Sequence, residues 1–202
     1  MDAKELIDRS VSALALAALS PVFTACAVAI KLDSDGPIFF RQERIGLHGV
    51  PFKIHKFRSM QNQTPKLNVS ATGDPRVTRV GKVLRKTKLD ELPQLIDVLK
   101  GDMAIVGPRP EVPEYVAQWP SDLRELILSV RPGITDPASI EYRNEADELA
   151  ESSDPEKYYV EVLLPKKTAL YAHYVRTRSL LGDAKLVAKT IAAVLRGVNQ
   201  RR

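Results

Sequence analysis

The first pattern along the chain is an uncharged, mostly apolar segment from Val11 to Ile30, flanked by Arg9 and Lys31. A helix of this length extends about 30 Å, which matches the hydrocarbon core of a bilayer. Three interpretations are open: the core helix of a soluble domain, a secretory signal and a membrane helix. The acidic residues that precede the segment differ from the positively charged start of a secretory signal, so this interpretation fits poorly.

Ser20 and Pro21 lie at the midpoint of this segment. Proline lacks a backbone N–H and clashes with the carbonyl four residues before it, and the serine hydroxyl can bond a carbonyl that is left free. The sequence therefore predicts a bent helix with two short arms. Basic residues stand on both sides without an inside–outside asymmetry. We expect a re-entrant membrane helix over residues 1–31, with both ends cytoplasmic, in preference to a straight span.

Two short runs after the turn signal Asp35-Gly-Pro37 alternate in the manner of β-strands. The second covers residues 50–60, so a hairpin turn is expected at residues 46–49. If this strand continues far enough, Lys56 and Arg58 project from the same face, because side chains alternate along a strand. Two cations on one face suit a phosphate clamp, and an ordinary solvated strand face is the alternative.

Helical periodicity begins near Lys82, after a polar, turn-rich stretch at residues 61–75 that we interpret as a loop. The periodicity extends through about Lys100, and a break is expected around residues 87–89. This break places Asp90 and Glu91 near a helix start. Adjacent helical residues project about 100° apart, so only one of the two carboxylates can point straight at a given atom. We therefore expect the pair to have divided roles.

A short strand at residues 103–106 leads into the sequence Gly107-Pro-Arg-Pro110. The two prolines restrict the backbone on either side of Arg109 and hold one guanidinium in place. A rigid guanidinium suits bidentate recognition of a phosphate. A proline-rich surface loop is the alternative interpretation.

The C-terminal part is predicted to be helical. Residues 141–161 carry eight acidic side chains, which is typical of a solvated helix–loop region. Periodicity predicts a helix over residues 158–178 and an amphipathic helix over residues 183–198. Two placements of the second helix are open: packing on the protein core, and contact with anionic lipid.

Positive charge is concentrated in the middle of the chain. Residues 31–110 hold 15 Lys/Arg and 8 Asp/Glu, a net charge of +7, whereas the whole chain carries +5. Asp90 and Glu91 stand in this region beside Arg85, Lys86 and Lys88. A carboxylate among cations suits a nucleophile or a metal ligand that acts on an anionic substrate. The alternative is purely structural, since acidic residues favour the first turn of a helix.

Composition excludes several other classes of function. The single cysteine, Cys26, rules out a disulfide framework, and three scattered histidines do not form a metal-binding pattern. Aromatic residues make up 6% of the chain, and no nucleic-acid-recognition motif is present, so no nucleic acid is expected as a partner. There is no Walker-type glycine loop. The basic region is expected to face phosphates, a nucleotide or acidic lipid headgroups.

Six segments carry a resemblance that covers essentially the whole chain. They are Ser20-Pro21, Gly36-Pro-Ile-Phe-Phe-Arg-Gln-Glu-Arg-Ile-Gly46, Lys56-Phe-Arg-Ser-Met60, Leu84-Arg-Lys-Thr-Lys-Leu-Asp-Glu-Leu-Pro-Gln-Leu95, Gly101-Asp-Met-Ala-Ile-Val-Gly-Pro-Arg-Pro110 and Arg131-Pro-Gly-Ile-Thr135. In this order they resemble the bacterial sugar transferases, the monotopic phosphoglycosyl transferases that start lipid-linked glycan assembly. Each segment alone is weak evidence for the resemblance, whereas all six in this order are specific to the family. The chain resembles the minimal catalytic form, without the extra multi-span region of larger members.

The resemblance implies a reaction. A UDP-sugar donates its sugar-1-phosphate to polyprenyl (undecaprenyl) phosphate, which yields polyprenyl-diphospho-sugar and UMP. In this family the reaction is ping-pong, passes through a phosphosugar-aspartate and requires Mg²⁺. Asp90 would be the nucleophile and a metal contact, and Glu91 would support the metal or the acceptor. The family positions that contact phosphate or the active site map onto Lys56, Arg58, Arg85 and Arg109.

The resemblance also implies a fold and a location. We expect one α/β domain over residues 1–202, mostly helical with short strands, whose catalytic part (residues 32–202) lies at the cytoplasmic face of the bacterial inner membrane. The expected partners are the UDP-sugar, polyprenyl phosphate and membrane lipid, and a homodimer is left open. Residues 134–145 depart from the family pattern, which leaves the sugar undetermined. The competing class is a non-catalytic, membrane-anchored scaffold that binds anionic lipid.

Overall fold

The computed structural model describes residues 2–61 and 69–199, and within them it combines helices with two small two-stranded sheets. The helices are α1 (Ala3–Ala18), α2 (Ser20–Asp33), α3 (Arg79–Thr87), α4 (Gln94–Lys100), α5 (Pro113–Val116), α6 (Ser121–Leu128), α7 (Pro137–Glu141), α8 (Glu145–Ala150), α9 (Pro155–Tyr158), α10 (Leu164–Thr177) and α11 (Leu180–Asn199). The strands are β1 (Phe39–Ile45), β2 (Pro51–Phe57), β3 (Ala104–Val106) and β4 (Gly133–Thr135). The expected mostly helical fold with short strands is confirmed.

Helices α1 and α2 form the predicted bent pair, with an angle of 63° between them. Pro21 lies in the first turn of α2, where a missing N–H is tolerated. The Ser20 hydroxyl donates a hydrogen bond to the Ala17 carbonyl at 2.8 Å, as its position in the sequence predicted. Over the described ranges no single helix is long and apolar enough to cross a membrane, whereas the bent pair meets that test. Placement in a membrane stays a prediction.

Helix α1 turns its polar face toward the protein and its apolar face outward. Asp8 and Ser12 are buried. The Asp8 carboxylate accepts a hydrogen bond from the backbone N–H of Ile105, and Lys4 Nζ lies 2.6 Å from the Asp183 carboxylate. The outward side chains are Leu6, Ile7, Val11 and Leu14, with exposed fractions of 54%, 48%, 46% and 73%. This arrangement is the reverse of a helix that packs on a soluble core.

The predicted hairpin is present. Strands β1 and β2 pair antiparallel with Phe39 opposite Phe57, and a 3₁₀ turn at Leu47–Gly49 connects them. Phe57 is buried, and its ring centroid lies 5.2 Å from that of Phe23 in α2. Aromatic packing of this kind fixes β2 against the second arm of the bent helix pair.

The predicted helix break lies between α3 and α4. Lys88 has a left-handed backbone conformation (φ 58°) that ends α3, and Leu89–Glu91 form a 3₁₀ turn. Helix α3 starts close to the hairpin, because a Cβ atom on Gly81 would lie 2.0 Å from the Ser59 carbonyl oxygen. The glycine therefore permits the close approach that sets the position of the following turn.

Two glycines bring β4 against the chain that follows β3. The strands are parallel, and a Cβ atom on Gly133 would lie 2.1 Å from the Gly107 backbone nitrogen. This contact positions the adjoining Gly107–Pro110 segment. The predicted loop at residues 61–75 is described only in part, since residues 62–68 lie outside the described ranges.

The C-terminal helices cover the larger hydrophobic core. This core is formed by α5–α7, α10 and the π-helical turn Tyr159–Leu163, and it contains the buried side chains of Trp119 and Tyr171. Helix α11 contacts β3, β4, α3 and α7, and the Thr190 and Thr135 hydroxyls lie 2.6 Å apart. Helix α11 therefore packs on the protein, and its contact with lipid stays a prediction.

Candidate active site

Glu91 joins three parts of the chain in one half-buried ion cluster. Lys56 Nζ, near the end of β2, lies 3.0 Å from Glu91 Oε1. Arg109, after β3, contacts both carboxylate oxygens: Nη1 lies 3.2 Å from Oε2, and Nη2 donates to Oε1. This fork-like arrangement is the geometry that a guanidinium offers to a carboxylate. The structure thus brings three of the predicted site residues together.

Electrostatics in this cluster favour the ionised pair. Burial opposes the charge on Glu91, but Arg109 and Lys56 outweigh it and hold the pKa of Glu91 well below its usual range. The charge of Glu91 in turn raises the pKa of Arg109. Burial lowers the pKa of Lys56 to about 8, against the opposing charge of Glu91. Lys56 is therefore the member of the cluster whose charge changes near neutral pH.

Asp90, the neighbour of Glu91 in the sequence, differs from it in hydrogen bonding and in the direction of its pKa shift. Its side chain is 9% exposed, and its Oδ1 atom is buried without a hydrogen-bond partner in the described part of the chain. Burial raises the pKa of Asp90, and the neighbouring charge of Glu91 raises it further. The two carboxylates thus differ in their contacts: Glu91 binds two cations, whereas Asp90 Oδ1 has no hydrogen-bond partner among the described residues. Their divided roles stay a prediction.

Lys56, Lys88 and Arg85 oppose these effects on Asp90, since their charges lower its pKa. Arg85 is half-buried, and its Nη1 donates to the Ser70 hydroxyl at 2.9 Å. Charges at the end of α3 and in the Glu91 cluster therefore both act on Asp90. An anionic group placed against Asp90 would be attracted by both groups of cations.

Arg58 does not join the Glu91 cluster. It is 4% exposed, and its guanidinium donates to the carbonyl oxygens of Asp35, Ser34 (2.7 Å) and Ile30 (3.5 Å) at the C-terminal end of α2. Strand β2 ends at Phe57, so the alternation that would put Arg58 beside Lys56 does not continue. Basic side chains are favourable at helix C-termini, and here Arg58 ties the bent helix pair to the hairpin.

A second buried network lies behind Arg109 and was missed from the sequence. Glu111 is 4% exposed, lies 3.5 Å from Arg44 Nη1, and accepts a hydrogen bond from the Tyr159 hydroxyl at 2.6 Å. Lys167 Nζ lies 3.6 Å from Glu111. Glu111 directly follows the Gly-Pro-Arg-Pro segment, and this adjacency was the one signal that could have drawn attention to it. The network fixes the backbone that carries Arg109.

His55 and Asp97 form another pair that the sequence patterns did not indicate. Asp97 has no exposed surface, and its carboxylate accepts from the His55 backbone N–H at 2.8 Å and lies 2.5 Å from the His55 ring nitrogen Nδ1. The pair joins β2 to α4. It therefore holds Lys56, which follows His55, in register with the turn that carries Glu91.

We expect Asp97→Ala to lower the free energy of unfolding by about 1–3 kcal/mol, because it leaves the buried His55 backbone N–H without its acceptor. The thermal unfolding midpoint, followed by the fluorescence of the single tryptophan, Trp119, would measure this change. Asp102→Ala, at an exposed position just after α4, is the matched control and should stay within about 0.5 kcal/mol. Equal midpoints for the two variants would contradict a role of the pair in joining β2 to α4.

The carboxylates of this site can be compared with the ligands that a magnesium ion requires. In the portion of the chain that is described, no group of three or more His, Cys, Asp or Glu side chains could hold a metal by itself. Asp90 nevertheless has a buried, unpaired oxygen, whereas both Glu91 oxygens are engaged. Mg²⁺ commonly takes one or two carboxylates together with substrate phosphates and water. Asp90 fits an ion that is shared with a bound diphosphate.

Comparison with known proteins identifies the family of this chain. A family model described as bacterial sugar transferase matches residues 1–197. The chain belongs to this family, and the predictions of the family and of a transferase are confirmed.

Individual relatives have more specific names. UDP-glucose:undecaprenyl-phosphate glucose-1-phosphate transferase of Caulobacter vibrioides is 37% identical over 205 residues, covering 95% of this chain and 69% of the relative. The protein of that name from Escherichia coli is 40% identical, covering 93% of this chain and 39% of the relative. UDP-N-acetylgalactosamine-undecaprenyl-phosphate N-acetylgalactosaminephosphotransferase of Aeromonas hydrophila is 38% identical, covering 98% and 45%. The chain thus spans less than half the length of the latter two.

Proposed function

We propose that this protein transfers sugar-1-phosphate from a UDP-sugar to polyprenyl phosphate, with Asp90 as the nucleophile. The observation that carries the proposal is the buried, unpaired Oδ1 of Asp90 next to the cationic cluster of Lys56, Glu91 and Arg109. Family membership adds the reaction class, because the relatives described above are named as undecaprenyl-phosphate sugar phosphotransferases. The sugar is not specified by these observations.

In the first half-reaction, a carboxylate oxygen of Asp90 attacks the phosphorus that bears the sugar. A bond forms between this oxygen and that phosphorus, and the bond from the phosphorus to the bridging oxygen breaks. UMP leaves with the electron pair of the broken bond. Ionised Asp90 is required for this step, and Lys56, Lys88 and Arg85 favour that form against the effect of burial.

In the second half-reaction, a phosphate oxygen of polyprenyl phosphate attacks the same phosphorus. The new diphosphate bond forms while the bond to Asp90 breaks, which returns the carboxylate to its starting state. No proton is needed in either step, because both nucleophiles are already anionic. The two attacks on one atom make the proposed mechanism ping-pong.

The cations stabilise the negative charge that moves during both steps. Glu91 holds Lys56 and Arg109 in place through direct contacts, so these donors are oriented before a substrate arrives. Mg²⁺, bound by Asp90 and the diphosphate, would supply further charge stabilisation of the departing phosphate. In this arrangement Glu91 is a positioning residue, and it acts through the two cations.

The outward apolar face of α1 supports a membrane location for the reaction. Leu14 is 73% exposed, and on α2 Val28 and Leu32 are 53% and 84% exposed. Burial of such a surface in lipid is favourable, whereas its exposure to water is not. We propose that the bent pair enters one leaflet of the bacterial inner membrane from the cytoplasmic side. The active site then meets a polyprenyl phosphate that stays in the bilayer.

Activity should depend on pH through Lys56. Its pKa of about 8 means that the side chain is charged below this pH and neutral above it. We expect kcat/KM to fall as pH rises through about 8, because the neutral amine no longer attracts the substrate phosphates. Lys56→Arg should move this fall to higher pH. A pH profile of kcat/KM that does not differ between the two proteins would exclude Lys56 as the titrating group.

The overall proposal is tested by UMP release. The purified protein, in detergent or nanodiscs with Mg²⁺ and undecaprenyl phosphate, is offered a panel of UDP-sugars. Release of UMP from one or a few donors, with formation of the lipid diphosphate product, is the expected result. A folded, membrane-bound protein that releases no UMP from any donor would favour the scaffold alternative.

A further inference from the structure

Gln94, the first residue of α4, is buried in an unusual way. The residue has no exposed surface, yet neither its Oε1 nor its Nε2 atom finds a hydrogen-bond partner within residues 2–61 and 69–199. Leaving a buried amide unpaired costs about 1–3 kcal/mol, and most buried polar groups in folded proteins are paired. A leucine of similar size would avoid this cost. The unpaired amide therefore points to a partner that arrives with a ligand.

The backbone places Gln94 on the same side of the chain as Asp90. Leu92 (φ −54°, ψ −36°) and Pro93 (φ −60°, ψ −15°) continue a right-handed helical path from the 3₁₀ turn into α4. Residues four apart on such a path share one face. Helical side chains also lean toward the N-terminus, which directs Gln94 toward Asp90.

Two residues on one face of this helical path thus carry unpaired polar atoms. Asp90 Oδ1 can accept a hydrogen bond and Gln94 Nε2 can donate one, but they are not bonded to each other in this structure. Both are positioned to serve a third group. A phosphoryl group attached to Asp90 has several oxygens that accept hydrogen bonds, and Gln94 Nε2 is an unpaired donor on the same face of the chain.

We propose that Gln94 is a further catalytic residue, whose Nε2 amide donates a hydrogen bond to an oxygen of the phosphoryl group during its transfer to and from Asp90. This inference rests on the proposed function. The amide forms and breaks only hydrogen bonds, and its protons stay on Nε2 throughout. A neutral donor suits this position because another cation would lower the pKa of Asp90 and make it a weaker nucleophile, whereas a carboxylate would repel the phosphate.

Gln94→Leu tests the proposal, because it removes the amide and keeps the volume. We expect kcat/KM to fall by ~10²–10³-fold, the usual effect of removing one preorganised donor. The thermal midpoint should stay equal or rise, since an unpaired buried amide is lost. Gln94→Met, which is also unbranched at Cβ, should give the same two results and serves if the leucine variant folds poorly. Ile96→Leu, in the same helix, is the matched control and should keep wild-type rates.

The first half-reaction is also measured alone, as the burst of UMP from UDP-sugar without acceptor. We expect the burst rate of Gln94→Leu to fall in parallel with turnover. Wild-type rates within twofold in a folded Gln94→Leu or Gln94→Met variant would overturn the role of Gln94 while the proposed function stands. If the wild-type protein itself releases no UMP from any donor, the proposed function fails and the role of Gln94 fails with it.

Discussion

Asp90→Asn is expected to lower UMP release at least ~10³-fold, because the amide cannot act as the nucleophile that receives the phosphosugar. The same change should leave the thermal midpoint equal or raise it. Burial raises the pKa of Asp90 above its unfolded value, so the ionised carboxylate destabilises the folded state at neutral pH. Loss of activity with retained or increased stability is the combination expected when a buried carboxylate destabilises the fold but is needed for catalysis.

Asp122→Asn is the matched control, since this carboxylate is exposed in the first turn of α6. It should keep wild-type turnover and a midpoint within experimental error. Both variants should also bind vesicles to the same extent as the wild type, because the proposed membrane contact is made by α1 and α2. Full turnover in Asp90→Asn would remove Asp90 as the nucleophile and favour a scaffold or a different reactive group.

Breaking the Glu91–Arg109 pair should have the largest effect on stability. Glu91→Gln leaves two half-buried cations without their counter-ion, and Arg109→Gln leaves Glu91 with Lys56 alone. Removal of one partner from a fully buried pair costs about 3–5 kcal/mol, and we expect about 2–4 kcal/mol here because the side chains are 15–27% exposed. We expect each single variant to lower the free energy of unfolding by about this amount, and the double variant to lose less than the sum. Trp119 fluorescence during thermal or denaturant unfolding measures all three.

Arg176→Gln provides the control for loss of an arginine, because this side chain is exposed near the end of α10. The free energy of unfolding of this variant should stay within about 0.5 kcal/mol of the wild-type value. Turnover should be low in all variants of the Glu91 pair, since Lys56 and Arg109 lose their fixed orientation. Additive losses of stability in the double variant would show that the two side chains do not act as a unit.

Local patterns predicted the elements that depend on local chemistry. The Ser20-Pro21 bend, the hairpin turn and the break before Asp90 all follow from restricted backbone conformations, and the structure has each of them. The divided contacts of Asp90 and Glu91 also follow from geometry, because neighbouring residues in a helical turn cannot point in the same direction. Each of these features is determined by the residues that form it and their immediate neighbours in the sequence.

Contacts between distant parts of the chain were not predictable in the same way. Arg58 was expected beside Lys56, but the carbonyls at the end of α2 bind it, and a strand pattern carries no information about them. His55 and Asp97 are 42 residues apart and give no local signal of their pairing. Glu111 likewise meets Tyr159, 48 residues away, in the network behind Arg109. Long-range pairing is decided by packing, which sequence periodicity does not describe.

The most direct test of the central claim is the mass of the intact protein after incubation with UDP-sugar and Mg²⁺ in the absence of polyprenyl phosphate. The proposed mechanism predicts a protein heavier by one phosphosugar group, with the modification located on Asp90 by peptide mapping and absent from Asp90→Asn. Addition of undecaprenyl phosphate should return the mass to that of the unmodified protein. An active protein that never gains this mass under rapid-quench sampling, or that carries the group on another residue, would contradict the assignment of Asp90 as the nucleophile.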